Sequence, residues 1–355
     1  MEQIVKKLEN RDIFIDYLKG LAIFLVVWGH TIQFALDSSI DFFLNPVFIV
    51  IYSFHMPLFM FVSGYLFMYS IKNRDIKTLI KSKFFQLIIP IITWSFVYKT
   101  LYFVVNYYRS NGISLYQQVM EYLIGYLKDL PEEFWYLWVV FYCTIIVSII
   151  QRYFKDKLIA YFAIFAILLI LPDNYILLLL KFMYPYFVAG YLFHKNKGKE
   201  LSCIKDIKPL AMLAFPILLF FWKKDFYVYT TGMSLYVGVF RYRVFIILYR
   251  YLTGFVGVVF VMEVVKTSLK YLTIKGVTYI GKYTLGIYII QYYLTYRLYV
   301  LPDFIADNQI IYNMVFTPVI SIVIIIISLI AIKILQKTRI TNRLFLGSRV
   351  KSAGE

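Results

Sequence analysis

The feature that most constrains this chain is a succession of apolar runs, each long enough to cross a bilayer, separated by short polar breaks along nearly all of its 355 residues. A spanning helix takes about 20 apolar residues, and backbone polar groups inside hydrocarbon have to be satisfied within the segment, so the runs read as helices. Composition agrees. With 61% hydrophobic residues, 16% charged and a mean hydropathy of +0.71, the chain has too little polar surface to coat a water-soluble fold of this length. The spacing predicts an all-α integral membrane protein of about ten transmembrane helices, over 12–36, 43–70, 84–107, 134–151, 157–172, 175–193, 209–222, 244–265, 277–300 and 313–335. Pro172, Pro185 and Pro216 interrupt the fifth to seventh of these, which are short. The first run carries Asp16, Lys19 and His30 in place of a small-residue cleavage site, so it is expected to stay as helix one.

A net charge of +17 raises the possibility of a polyanionic partner. Its placement argues for topology instead. Sorted by the loops between spans, most of the basic residues fall on one side, in the stretches around Lys6–Arg11, Lys72–Lys83, Arg152–Lys157, Lys195–Lys208, Lys266–Lys275 and Lys333–Lys351. The other side receives Arg109, Lys128, Lys223, Lys224, Arg241 and Arg243. The positive-inside rule makes the richer side, with both termini, cytoplasmic, and no nucleic-acid partner is expected. Residues 1–11 then form a cytoplasmic tail, 12–335 the membrane domain and 336–355 a basic cytoplasmic tail. The exterior loops 108–133 and 223–243 are too short for a separate soluble domain. The absence of an internal repeat gives no support to an inverted-repeat transporter. Cys143 and Cys203 have neither metal-ligand nor disulfide spacing.

Chemistry therefore has to reside among ionisable groups inside the membrane, where each costs about 2.5–3.5 kcal/mol to insert and so faces a partner or a wet cavity. Asp16 and Lys19 are an i,i+3 pair, and Lys19 and His30, eleven residues apart, lie within about 20° of one helix face and about 16 Å apart along it. On a lone helix this stripe is equally well read as an interfacial ion pair with a histidine satisfied by backbone. The second helix shifts that balance. It carries His55 in Ser53-Phe54-His55-Met56-Pro57, and Pro57 has no N–H for the Ser53 carbonyl, so a polar notch and a kink are expected beside the histidine. Two of three histidines then lie in adjacent antiparallel helices, which suits proton transfer. No carboxylate or third histidine stands at ligand spacing, so no metal is expected. Arg250 lies deep enough to face a cavity, Lys282 and Arg297 read as snorkelling anchors, and Tyr288 and Gln291, i and i+3, could share one face.

Arg11-Asp12-Ile13-Phe14-Ile15-Asp16-Tyr17-Leu18-Lys19-Gly20 followed by Val26-Val27-Trp28-Gly29-His30 resembles the opening signature of the acyltransferase family 3 membrane proteins, in the branch of fucose 4-O-acetylase-like and polysaccharide O-acetyltransferases. Phe54-His55-Met56-Pro57-Leu58-Phe59 with Ser63-Gly64-Tyr65 is similar to the second-helix signature. Fainter similarities are Phe134-Trp135-Tyr136-Leu137, Pro185-Tyr186-Phe187-Val188-Ala189-Gly190 and Gly281-Lys282-Tyr283-Thr284-Leu285-Gly286-Ile287-Tyr288. The resemblance implies transfer of an acetyl group from acetyl-CoA, used as a donor and not held permanently, onto a sugar hydroxyl of a cell-surface polysaccharide or its lipid-linked precursor at the cytoplasmic membrane. His30 matches the family's essential histidine. Lys19 stands where much of the family has arginine, which keeps the charge and loses the bidentate fork. Lys83 and Gln86 occupy a stretch where many members have two arginines, and Gln291 stands where many have histidine.

On this reading the catalytic candidates are His30, His55, Asp16 and Lys19. Ser63, Trp135, Arg250, Tyr288 and Gln291 are candidates for substrate binding, and Lys77, Lys81 and Lys83 for drawing the donor's phosphates to the cytoplasmic mouth. The competing expectation from another class is a transporter or flippase for a lipid-linked sugar or an acyl donor, which would use the same polar stripe as a pathway.

Overall fold

The computed structural model describes residues 12–35, 41–72, 74–107, 114–196, 202–235, 238–272, 274–296, 298 and 308–348. Among them every regular element is helical. The principal helices are α1 (Ile13–Ala35), α2 (Pro46–Ile71), α3 (Ile76–Lys83), α4 (Ile89–Tyr107), α5 (Leu115–Asp129), α6 (Trp135–Phe154) and α7 (Leu158–Ile170). They are followed by α8 (Tyr175–Lys195), α9 (Ser202–Phe220), α10 (Phe240–Ser268), α11 (Lys275–Ile280), α12 (Thr284–Thr295), α13 (Thr317–Leu335) and α14 (Arg339–Leu346).

Local chemistry explains where several of these begin and bend. Asp12 accepts from the Ile15 N–H, Asn45 from Val47 and Phe48 with Pro46 at the first helical position, Asp75 from Thr78, and Asn174 from Leu177. Pro90 has no N–H to offer the Gln86 carbonyl, and the chain absorbs the defect as a π turn, Phe84–Ile88, which joins α3 to α4 in one apolar run. A second π turn, Tyr312–Phe316, precedes Pro318 at the start of α13. Pro57 is carried inside α2, which runs as one helix from residue 46 to 71.

Seven described helical runs are long and apolar enough to cross a membrane: Ile13–Ala35, Pro46–Ile71, Ile76–Val105, Trp135–Phe154, Tyr175–Lys195, Phe240–Ser268 and Gln309–Leu335. Three expected spans do not take that form. The fifth is the 13-residue α7, about 20 Å long against a hydrocarbon core of about 30 Å, and the seventh is the short apolar part of α9, Pro209–Phe220. The ninth is broken at Gly281–Tyr283 into α11 and the 12-residue α12, and Arg297 and its end from 299 lie outside the described residues. Segments this short sit in a bundle only when neighbours cover their ends.

The centre of the bundle is α1, α2 and α8. In its most apolar window α2 is 72% buried, whereas the α3–α4 run is 22% buried and so lies at the periphery. Glycine makes the central contact possible. A Cβ on Gly64 of α2 would meet the Phe187 carbonyl oxygen at 1.9 Å, and one on Gly190 of α8 would meet the Phe61 carbonyl oxygen at 1.9 Å, so the two backbones touch in both directions. Along α13, Ile322, Val323, Ile326, Ile327, Ile330 and Ile334 point outward, a surface suited to lipid and not to water.

Candidate active site

Two cavities enter the bundle from opposite ends and share a wall. The first, about 530 Å³, opens at the end where α1 begins and is lined by Lys19 of α1, Ser63 of α2, Lys83 and Gln86 beside the π turn, Tyr136 of α6, and Lys282 and Tyr288 on either side of the start of α12. The second, about 330 Å³, lies toward the end where α1 finishes. It is lined by His30 and Gln33 of α1, Tyr52 of α2, Trp135, Tyr175, Tyr229, Gln291 and, again, Tyr288. Lys19 and His30, placed on one helix face by their spacing, thus serve one cavity each, and Tyr288 stands where the two meet.

Charge divides between them. Lys19, Lys83 and Lys282 converge on the first cavity from three separate segments. Lys19 holds Asp16 at 3.3 Å, the ion pair expected from their i,i+3 spacing, and the Lys83 ammonium donates to Gln86 Oε1 at 3.2 Å. Three ammonium groups around one opening draw phosphate. Lys77 and Lys81 point outward from α3 and do not line this cavity, so of the three lysines expected at the mouth only Lys83 reaches it. Lys282, expected to be a snorkelling anchor, is exposed and lines the rim of this cavity from the break between α11 and α12. A lysine following glycine at an interrupted apolar run is the signal for this in the sequence.

The second cavity is built mostly of aromatic rings around a few polar groups. The His30 ring stacks near Phe34, with centroids 5.8 Å apart, and its Nδ1 is buried with no hydrogen-bond partner among the described residues. Gln291 lies one turn of α12 beyond Tyr288, whose carbonyl accepts from its amide at 3.2 Å. Phe134, also in the wall, holds a left-handed backbone (φ 52°) and is packed against Tyr288, Tyr292 and Tyr293. Strain of this kind persists only where packing over-determines it.

His55 and Arg250 fall elsewhere. The His55 Nδ1–H donates to the Ile51 carbonyl at 2.8 Å, and its ring lies behind Tyr52, centroids 4.5 Å apart, lining a small crevice with Arg250 and not the cavity of His30. Tyr52 borders both spaces. Arg250, 1% exposed, is spent on the loop that follows α9. Its guanidinium donates to the carbonyls of Phe226 (2.8 Å), Gly232 (2.9 Å), Tyr227 (3.2 Å) and Asp225 (3.3 Å) and to Thr231 Oγ1 (2.7 Å). Arg250, expected to meet substrate, has its donors engaged by the loop that carries Tyr229. Ser63 and Tyr136 share a 2.5 Å hydrogen bond on the wall of the first cavity, and Trp135 lies in the second. Tyr52, Tyr175 and Tyr229 are not singled out by the sequence, because nothing local separates them from the chain's other tyrosines.

Residues 12–333 match the family model described as "Acyltransferase domain" in acyltransferase family 3, which spans almost the whole of the membrane bundle. The chain belongs to this acyltransferase family. Among curated proteins it is similar to nodulation protein NolL of Sinorhizobium fredii, 31% identical over 226 residues, and of Mesorhizobium japonicum, 28% identical over 226 residues. Each match covers 62% of this chain and about three fifths of the relative, 60% and 59% respectively. No solved structure matches the chain significantly.

Proposed function

We propose that this chain is a membrane-bound O-acyltransferase that moves an acetyl group from acetyl-CoA to a sugar hydroxyl of a cell-surface polysaccharide or its lipid-linked precursor. The observation that carries the proposal is the pair of cavities meeting at Tyr288, one ringed by Lys19, Lys83 and Lys282 and the other holding His30. The lysine-rich end faces the cytoplasm with both termini, and the protein resides in the cytoplasmic membrane as a bundle of about ten membrane-associated helices. Acetyl-CoA lays its phosphates among the three lysines, and its pantetheine arm reaches along the first cavity toward Tyr288. The acceptor enters the aromatic cavity from the exterior, where flat rings suit the apolar faces of a sugar. His30 takes the proton of the acceptor hydroxyl as its oxygen attacks the thioester carbonyl carbon. The carbon–sulfur bond breaks, and the departing CoA thiolate takes up a proton. Tyr288, between the two spaces, adjoins the carbon that is transferred. His55 acts through Tyr52, whose ring it supports.

Purified protein in detergent, given acetyl-CoA and a membrane glycan extract, should release CoA in step with the appearance of acetyl esters. A His30→Ala variant of normal abundance should release none. Two opposed cavities also suit alternating access in a transporter or flippase, and movement of the donor or the lipid-linked sugar without CoA release would favour that reading.

A further inference from the structure

The basic segment after α13 reads in the sequence as a tail, yet its described part is built into the bundle. Thr338 caps α14 by accepting from the Thr341 N–H at 3.2 Å, and Gly347 ends it in a left-handed turn (φ 61°), its N–H donating to the Arg343 carbonyl at 3.1 Å. Three contacts then fasten the helix. The Phe345 carbonyl accepts from the Trp94 indole N–H of α4 at 2.9 Å, the Arg343 guanidinium lies over the Phe85 ring at 4.9 Å, and Leu346 packs against Gly286, where an added Cβ would meet its side chain at 3.2 Å.

The closest approach is at Gly347. A Cβ there would meet the Gln86 carbonyl oxygen at 2.1 Å and its carbon at 2.8 Å. Gln86 is the residue whose carbonyl Pro90 deprives of an i+4 donor, and it lies within the π turn. Only a glycine can lie against it, and only a residue at ease with positive φ can end α14 at that point. The result of this fit is that Leu346, Gly347 and Ser348 line the cavity of the three lysines, beside Gln86 and Lys83.

We propose that α14 and its glycine cap form a wall of the acyl-donor site and set its affinity for a phosphorylated pantetheine thioester, with Gly347 as the positioning residue. This rests on the donor reading of that cavity. The helix contributes no group to the reacting atoms. Its end lines the cavity beside Gln86 and Lys83, so its loss should weaken donor binding and leave the chemical step alone.

The test uses the full chain in detergent, with CoA binding followed by calorimetry and acetyl-CoA kinetics by CoA release. Gly347→Val should raise the CoA Kd and the acetyl-CoA KM by about tenfold, with kcat and acceptor KM unchanged in the folded fraction. Gly347→Asn tolerates the backbone angle but still carries a Cβ against Gln86, and should behave like Gly347→Val. Ser348→Phe adds bulk to the cavity wall without disturbing the seat and should raise the same two constants. Unchanged donor constants in Ser348→Phe, or in a well-folded Gly347→Val, overturn the wall. Absence of CoA binding by the unaltered protein overturns the donor reading beneath it.

Discussion

Removing the Arg250 guanidinium tests whether the loop that follows α9 is held by it or merely rests beside it. In Arg250→Met the replacement fills much of the same volume without donors. The guanidinium's hydrogen bonds to the Phe226 and Tyr227 carbonyls are buried, while those to Asp225, Gly232 and Thr231 are partly open to solvent. A hydrogen bond to a charged group contributes about 1.5–3 kcal/mol, so the two buried ones amount to about 3–6 kcal/mol. Part of that is offset because no charge has then to be desolvated, which leaves a net cost of about 3 kcal/mol. The cost falls on the loop and not on the bundle, since α10 itself keeps its packing through Thr253, Gly254 and Gly257. About 3 kcal/mol is about a hundredfold in the closed-to-open equilibrium. Hydrogen exchange followed by mass spectrometry should therefore show amides of 226–234 exchanging about a hundredfold faster, with α1 and α2 unaffected. Because Tyr229 of this loop lines the His30 cavity, the acceptor KM should rise while the donor KM does not. Unchanged exchange in 226–234 together with an unchanged acceptor KM would refute the reasoning, and would return Arg250 to the candidates for substrate contact.

Other expectations are separate. Lys19→Arg should retain most activity, whereas Lys19→Met should lose donor binding and also abundance, because Asp16 then stays buried without its 3.3 Å partner; Asp16→Asn/Lys19→Met should restore abundance but not donor binding. Gly64→Ala drives a methyl into the Phe187 carbonyl at 1.9 Å and should lower folded yield severalfold, read by size-exclusion profile, while Gly276→Ala, with nothing within 4 Å, should not. Lys77→Cys, in a background lacking Cys143 and Cys203, should be labelled from the cytoplasm alone, and labelling from outside would reverse the orientation. His55→Ala should reduce activity less than His30→Ala does, since His55 borders a different space, and equal loss in two well-folded variants would place both histidines in the chemistry.

Much of this protein was legible in one dimension because the forces involved are local. Partition into hydrocarbon acts residue by residue, so the apolar runs announced an all-helical membrane bundle. The helix repeat turns spacing into direction, so Asp16, Lys19 and His30 declared their shared stripe before any neighbour was known. Motif order carried the family across nearly the whole chain. Which side chains share a space depends instead on how helices dock, and that is settled by contacts between residues distant in sequence. Lys282 joined Lys19 and Lys83 around one cavity, and Lys77 and Lys81 did not, because that depends on where the break between α11 and α12 and the end of α3 come to lie. The two histidines, which helix order alone places side by side, line different spaces, both bordered by Tyr52. Arg250 found its acceptors in a loop some twenty residues earlier, and the C-terminal helix found its seat on a carbonyl freed by a proline more than 250 residues away. Sequence determined what each segment is and which way its faces point; only tertiary packing decided which faces meet, since close backbone approach and the satisfaction of buried polar groups are properties of pairs of segments.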